Sequence, residues 1–124
     1  MAKVLVVDDD RVVADMYSLA LSRAGHEVLV ANDGLAGLQL ASTAQPDLVF
    51  LDIRMPKMDG IEVLRNLKSV NRTKGIPVVM LSNYDEARLV RESLSLGAKE
   101  YLVKVGTNPA DLDRIVSQWV GAEK

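Results

Sequence analysis

Five short apolar runs interrupt the chain at near-regular intervals: KVLVV (3–7), EVLVA (27–31), DLVFL (47–51), IPVVML (76–81) and EYLVKV (100–105). None alternates strictly between apolar and polar positions. Continuous runs of Val, Leu and Ile suit strands covered on both faces, the condition of a parallel sheet. The segments between them repeat at helical spacing instead. Val12, Val13, Met16, Leu19 and Ala20 would form the core face of a first helix, and Asp33 caps a second that holds Leu35, Leu38 and Ala41. Ile61, Leu64 and Leu67 follow Asp59-Gly60 in a third. Asp85 to Leu96 predicts a fourth helix closed by Gly97, and Asn108-Pro109 opens a fifth whose stripe is Leu112, Ile115, Val116, Trp119 and Val120.

Strand and helix thus alternate five times, without repeat, linker or low-complexity tract. Right-handed crossovers join such units into a doubly wound α/β sandwich. At this length the expected architecture is a flavodoxin-like five-stranded parallel sheet, order 2-1-3-4-5, with five helices. Ligands of such sheets sit beyond the carboxyl ends of the strands where the winding reverses, here between strands one and three. Composition mainly excludes. The 124 residues fit one domain, 1–124, and a net charge of −2 leaves no basic footprint for direct nucleic-acid contact or an anionic membrane. No apolar run reaches the roughly 20 residues of a membrane helix and the start MAKVLVV lacks a signal layout, so a cytoplasmic location is expected. With no Cys and one His, disulfide, thiolate and imidazole-rich zinc chemistry fall away.

Strand one ends in Asp8 and Asp9 and strand three in Asp52, so neighbouring strands deliver three carboxylates to one crevice. Carboxylates this close repel, and burying one without a partner raises its pKa or costs stability. A hard divalent cation with oxygen ligands relieves both effects, and Mg²⁺ or Mn²⁺ suits the set better than zinc. Asp10 reads instead as a helix start, where negative charge is favourable. Strand four leads into Ser82 and strand five carries Lys104, adding a hydroxyl donor and an ammonium at the same end of the sheet. Singly each is commonplace, since a Ser after a strand is usually a turn residue and a Lys is usually solvated. Metal, hydroxyl and ammonium together match the needs of a transferring phosphoryl group, and a carboxylate beside them can be the nucleophile.

The stretches VVDDD (6–10), LDIRMPKMDG (51–60), MLSN (80–83) and EYLVK (100–104) together resemble the receiver domains of two-component response regulators, the single-domain chemotaxis regulator among them, over essentially the whole chain. The resemblance implies that Asp52 is the phosphoacceptor, that Asp8 and Asp9 hold Mg²⁺ directly or through water, and that the backbone carbonyl of Arg54 completes the metal site. It also implies Ser82 as the hydroxyl that tracks the phosphoryl group, Lys104 as the family's lysine and Tyr101 as the switch aromatic. The implied chemistry is transfer from the phosphohistidine of a histidine kinase or histidine phosphotransfer protein to Asp52. Slow hydrolysis of the acyl phosphate follows, self-catalysed and not enzymatic in the usual sense. Ser82 drawn toward the new charge would leave space for Tyr101 to turn inward, changing the surface of helix four, strand five and helix five that a downstream protein or output domain would bind. Arg88, Arg91, Glu92 and Tyr101 are candidates for that surface; a monomer and a phosphorylation-dependent dimer both stay open.

Three features depart from the commonest pattern of that family. Val105 stands where a cis Pro is usual, and since a non-proline cis bond costs about 2.5–4 kcal/mol, a trans link and a different loop are expected. Asn83 is larger than the usual Ala or Gly, and Tyr84 and Arg54 would overhang the site and gate the attacking water. His26 is read as a loop residue without a partner and Trp119 as core. Met55-Pro56 shapes the loop after Asp52, Met58 is a core or contact residue, and Lys57, Lys68, Arg72 and Lys74 form a solvated face. Ser93 and Ser95 carry no evident role. Two other readings compete: a pseudo-receiver that binds proteins constitutively, against which Asp52, Ser82 and Lys104 argue, and an Asp-nucleophile phosphohydrolase, which usually needs a cap domain. The chain runs out at GAEK (121–124) with no output module in view, so a stand-alone protein and an excised domain are both compatible with it.

Overall fold

The structure is a computed structural model that describes residues 1–120; the GAEK ending lies outside the described residues. Strands β1 (Lys3–Val7), β2 (Glu27–Ala31), β3 (Leu48–Leu51), β4 (Val78–Ser82) and β5 (Glu100–Val103) alternate with helices α1 (Arg11–Arg23), α2 (Gly34–Ala44), α3 (Gly60–Ser69), α4 (Ala87–Ser95) and α5 (Asp111–Trp119). All strand pairs are parallel and the order is β2-β1-β3-β4-β5, as the sequence predicts. The three central strands are the ones buried almost throughout, because helices cover both their faces. Val4 to Val7, Leu48 to Leu51 and Val78 to Leu81 are all buried, whereas the edge strands β2 and β5 are mostly half-buried.

Strand alternation divides the core in two. Val4, Val6, Leu48, Phe50, Val79 and Leu81 pack under α1 and α5, with Ala14, Tyr17, Leu21, Leu112, Ile115 and Val116. Leu5, Val7, Val49, Leu51, Val78 and Met80 pack under α2, α3 and α4, with Ala41, Ile61, Leu64, Leu67 and Leu89. The stripes read for α3 and α5 therefore hold, Trp119 being partly buried against its cluster. The face read for α1 does not: Ala14, Tyr17 and Leu21 are its buried positions, while Val12, Met16 and Leu19 face solvent. Leu35 is exposed as well, since Gly34, Gly37 and Ala41 bring α2 close to the sheet.

The capping residues do what their chemistry suggests. The Asp10 Oδ1 accepts hydrogen bonds from the backbone N–H groups of Val12 and Val13, Asp33 from Ala36 and Asp59 from Glu62. Asn108 accepts from Ala110, which closes a turn ahead of α5, so the helix itself begins at Asp111. α4 has no side-chain cap, and Gly97 follows it at φ +109°, a backbone conformation that glycine adopts without steric cost. β4 starts two residues later than the apolar run because Pro77 has no N–H to donate, and β5 stops at Val103, where Lys104–Gly106 wind into a single 3₁₀ turn. The described residues contain no cis peptide, so the Lys104–Val105 link is trans as expected. Among the described residues no helix is long and apolar enough to cross a membrane.

Two single-residue readings need correction. His26 is not a partnerless loop residue: its Nε2 lies 2.7 Å from Asp113 Oδ1 on α5, and its Nδ1 accepts from the Ala2 N–H at 3.1 Å. Lys68 is not part of a solvated face, because its ammonium turns back to donate to the carbonyls of Lys74 and Ile76 at 3.1 and 2.7 Å. Burial first, and the Lys99 charge second, lower its pKa. Lys57, Arg72 and Lys74 are exposed as predicted.

Candidate functional site

Parallel pairing carries the acidic residues to the carboxyl end of the sheet in register. The Asp8 N–H donates to the Ala31 carbonyl and the Asp52 N–H to the Val7 carbonyl, so the ladder runs one residue past each strand and fixes both backbones. The Asn32 side chain donates to the Asp8 carbonyl at 3.0 Å. Sequence reading missed Asn32, although the Val7–Ala31 register places it beside Asp8. On the other side of Asp52 the chain folds back so tightly that the Gly60 N–H donates to the Ile53 carbonyl at 2.7 Å. A Cβ on Gly60 would lie 2.0 Å from the Asp52 carbonyl oxygen, so only glycine fits.

Asp8, Asp9 and Asp52 each present a carboxylate oxygen within 4.8 Å of the others. Asp8 and Asp52 are buried and Asp9 is exposed, which leaves the cluster open on one side toward a groove of about 380 Å³ lined by Asp9, Arg54, Met55, Pro56 and Asp59. The Asp8 Oδ1 accepts from the Asp10 N–H at 2.9 Å and the Asp52 Oδ1 from the Ile53 N–H at 2.9 Å, so each carboxylate keeps its second oxygen for other partners. That partner is the Lys104 ammonium, 2.7 Å from Asp8 Oδ2 and 3.4 Å from Asp52 Oδ2. The tighter pair belongs to Asp8.

The electrostatics follow from burial and this unequal sharing. Desolvation raises the Asp52 pKa to about 6, against the opposing pull of Lys104, with the Asp8 charge adding to the rise. Burial alone would lower Lys104, but its hydrogen bond to Asp8 and the two nearby carboxylate charges outweigh it and its pKa is raised. Asp52 is therefore a carboxylate under strain from desolvation, ionised near neutrality and poorly compensated. All three oxygens of the cluster are hard donors, the set that suits a divalent cation of the Mg²⁺ type.

Ser82 and Tyr101 come together beside this cluster. Ser82 is fully buried and its Oγ accepts from the Tyr84 N–H at 3.2 Å. The Tyr101 hydroxyl donates to the Tyr84 carbonyl, so in this structure the aromatic already reaches over the loop that follows β4. Burial raises the Tyr101 pKa, and a hydrogen bond with Ser82 opposes that rise. Arg54 and Tyr84, expected to overhang the site, touch each other: the guanidinium lies 4.7 Å from the centre of the Tyr84 ring and 3.6 Å from Glu86. Glu92, read as a residue of the α4 and β5 surface, pairs across to Arg65 on α3 at 3.4 Å, and Arg88 pairs with it along α4 at 3.5 Å. Arg91 and Tyr101 remain on the α4 and β5 side, exposed and half-buried respectively.

Comparison with known proteins gives a consistent answer. The model of the response regulator receiver domain matches residues 4–117. The DNA-binding dual master transcriptional regulator RpaA of Synechocystis is 36% identical over 95% of this chain and 47% of its own length. The sporulation initiation phosphotransferase F of Bacillus subtilis is 34% identical over 91% of this chain and 86% of its own. Among solved structures, the chemotaxis protein CheY4 of Vibrio cholerae superposes with a TM-score of 0.89 at 34% identity, covering 97% of this chain and 99% of that one. The chain spans less than half the length of several transcriptional regulators that it matches. Matched over residues 4–117, the chain belongs to the family of response regulator receiver domains.

Proposed function

We propose that residues 1–124 form a phosphorylation switch in which Asp52 takes a phosphoryl group from the phosphohistidine of a histidine kinase or histidine phosphotransfer protein. The observation that carries this reading is the state of Asp52: buried, desolvated to a pKa of about 6, and given only the longer of the two Lys104 contacts. Such an oxygen is ionised at neutral pH yet weakly held, which suits a nucleophile. As the Asp52 oxygen bonds to phosphorus, the bond from phosphorus to the donor imidazole nitrogen breaks and the imidazole takes up a proton. Lys104 compensates charge on the transferred group, and the Ser82 hydroxyl donates to one of its oxygens. Asp8, Asp9, Asp52 and the Arg54 backbone carbonyl would hold Mg²⁺, or Mn²⁺ in its place. When bound, the cation polarises the phosphoryl oxygens and screens them from the carboxylates.

The added charge, roughly −1.5 to −2, competes with Tyr101 for the Ser82 hydroxyl, which ties the event to β5 and the neighbouring faces of α4 and α5. A downstream protein or output domain would read that surface. Receiver domains are signalling modules, and here too the reaction alters the chain itself. The test is labelling from a phosphorylated histidine kinase in Mg²⁺: the parent chain acquires phosphate that alkali and hydroxylamine release, and Asp52→Asn does not. Equal labelling of the variant would sink the assignment of Asp52.

A further inference from the structure

One set of contacts near the site takes no part in the proposed phosphoryl transfer. Arg54, two residues beyond Asp52, spans from the loop after β3 to the loop after β4. Its guanidinium stacks on the Tyr84 ring at 4.7 Å and pairs with Glu86 at 3.6 Å. Tyr84 is also the residue whose backbone serves both members of the switch, since its N–H donates to Ser82 Oγ and its carbonyl accepts from the Tyr101 hydroxyl. A single residue thus joins three partners: Arg54 through its ring, Ser82 through its nitrogen and Tyr101 through its oxygen.

The geometry points to Arg54 and Glu86 as positioning residues that fix the loop 83–86, and through the Tyr84 backbone hold Tyr101 where its hydroxyl reaches the Tyr84 carbonyl. This deepens the switch reading and rests on it for its role in signalling, but not for its test. The physical reason is loop entropy. Residues 83 to 86 are exposed and belong to no helix or strand, so without a cross-loop restraint the Tyr84 carbonyl would sample many positions. A guanidinium held at once by an aromatic face and a carboxylate supplies that restraint from the neighbouring loop. The position of Tyr101 is then set from the Asp52 side of the crevice as well as through Ser82.

The experiment uses the full chain, without phosphodonor, carrying fluorinated tyrosine. The chain has three tyrosines, Tyr17, Tyr84 and Tyr101, so three fluorine resonances are assigned by single Tyr→Phe variants. Tyr84 will respond to any change at Arg54 because the two touch, so Tyr101 is the informative signal. Arg54→Ala is expected to move the Tyr101 resonance toward the shift of a solvent-exposed ring and leave that of the buried Tyr17 in place. Glu86→Gln is expected to produce a smaller displacement in the same direction, and Arg54→Lys, which keeps the charge but loses the planar stack, an intermediate one. A Tyr101 signal unchanged in Arg54→Ala overturns the proposal, as does one that moves in Arg54→Ala and stays in place in Glu86→Gln. Absence of phosphoryl labelling would instead count against the role given to Asp52 and leave this result standing.

Discussion

At the scale of the residue, Asp52 has a cost that the proposed phosphoacceptor role would explain. Its pKa is about 6 in the folded chain against 3.8 for an unperturbed carboxyl, so between those values the native state holds a proton that the unfolded chain releases. Stability from the neutral form is full below 3.8 and is lost as pH rises through about 6. Above that range the ionised group weakens the fold by about 1–3 kcal/mol. Asp52→Asn keeps the shape and removes the charge, and Lys104 keeps its tighter partner Asp8. In chelator, at pH well above 6, the variant is expected to be more stable than the parent by that margin in urea unfolding, with the difference closing below 3.8. A variant less stable than the parent at high pH would mean that the Lys104 contact more than repays the burial.

At the scale of the element, α4 lacks two supports that a helix can have. It has no side-chain cap at its start, and the hydroxyl of Ser93 is buried without a hydrogen-bond partner among the described residues. An unsatisfied buried hydroxyl costs about 1–3 kcal/mol. Ser93→Ala is therefore expected to stabilise the chain by about 1 kcal/mol, and amide exchange should slow in α4 while the α1 amides stay as they were. Slower exchange everywhere, or none, would show that the hydroxyl is not what loosens this helix. Helices also mark the limit of what the sequence makes legible. Asp8, Asp9, Asp52, Ser82 and Lys104 could be located because each stands at an abrupt change from apolar to polar at a strand end, and strand order then brings them together. The face of α1 could not, because RVVADMYSLALSR carries two apolar stripes: Ala14, Tyr17 and Leu21 fit helical spacing as well as Val12, Met16 and Leu19 do. Periodicity cannot choose between them, and small Ala14 gives little sign of being the buried one. The partners of His26 and Lys68 were illegible for another reason. Asp113 is 87 residues from His26, and the acceptors of Lys68 are backbone carbonyls that any sequence would supply.

At the scale of the whole molecule, the misread stripe acquires a use. Val12 and Met16 are 78% and 47% exposed on the helix that starts just after Asp8 and Asp9, and Val105, 89% exposed, follows Lys104. Apolar side chains thus stay exposed on two segments that adjoin site residues in the chain, although burying them would have been favourable. Under the proposed function, a phosphohistidine donor brings its imidazole to Asp52 and would cover these apolar side chains as it docks. A small phosphodonor needs no such contact. Met16→Glu should therefore leave stability within about 0.5 kcal/mol of the parent and leave labelling by a small acyl phosphate unchanged. Transfer from the kinase should slow at least about tenfold, the effect of losing about 1.4 kcal/mol of binding. Equal slowing with both donors would place the effect of Met16 on the Asp52 chemistry, and unchanged kinase transfer would remove α1 from the docking face.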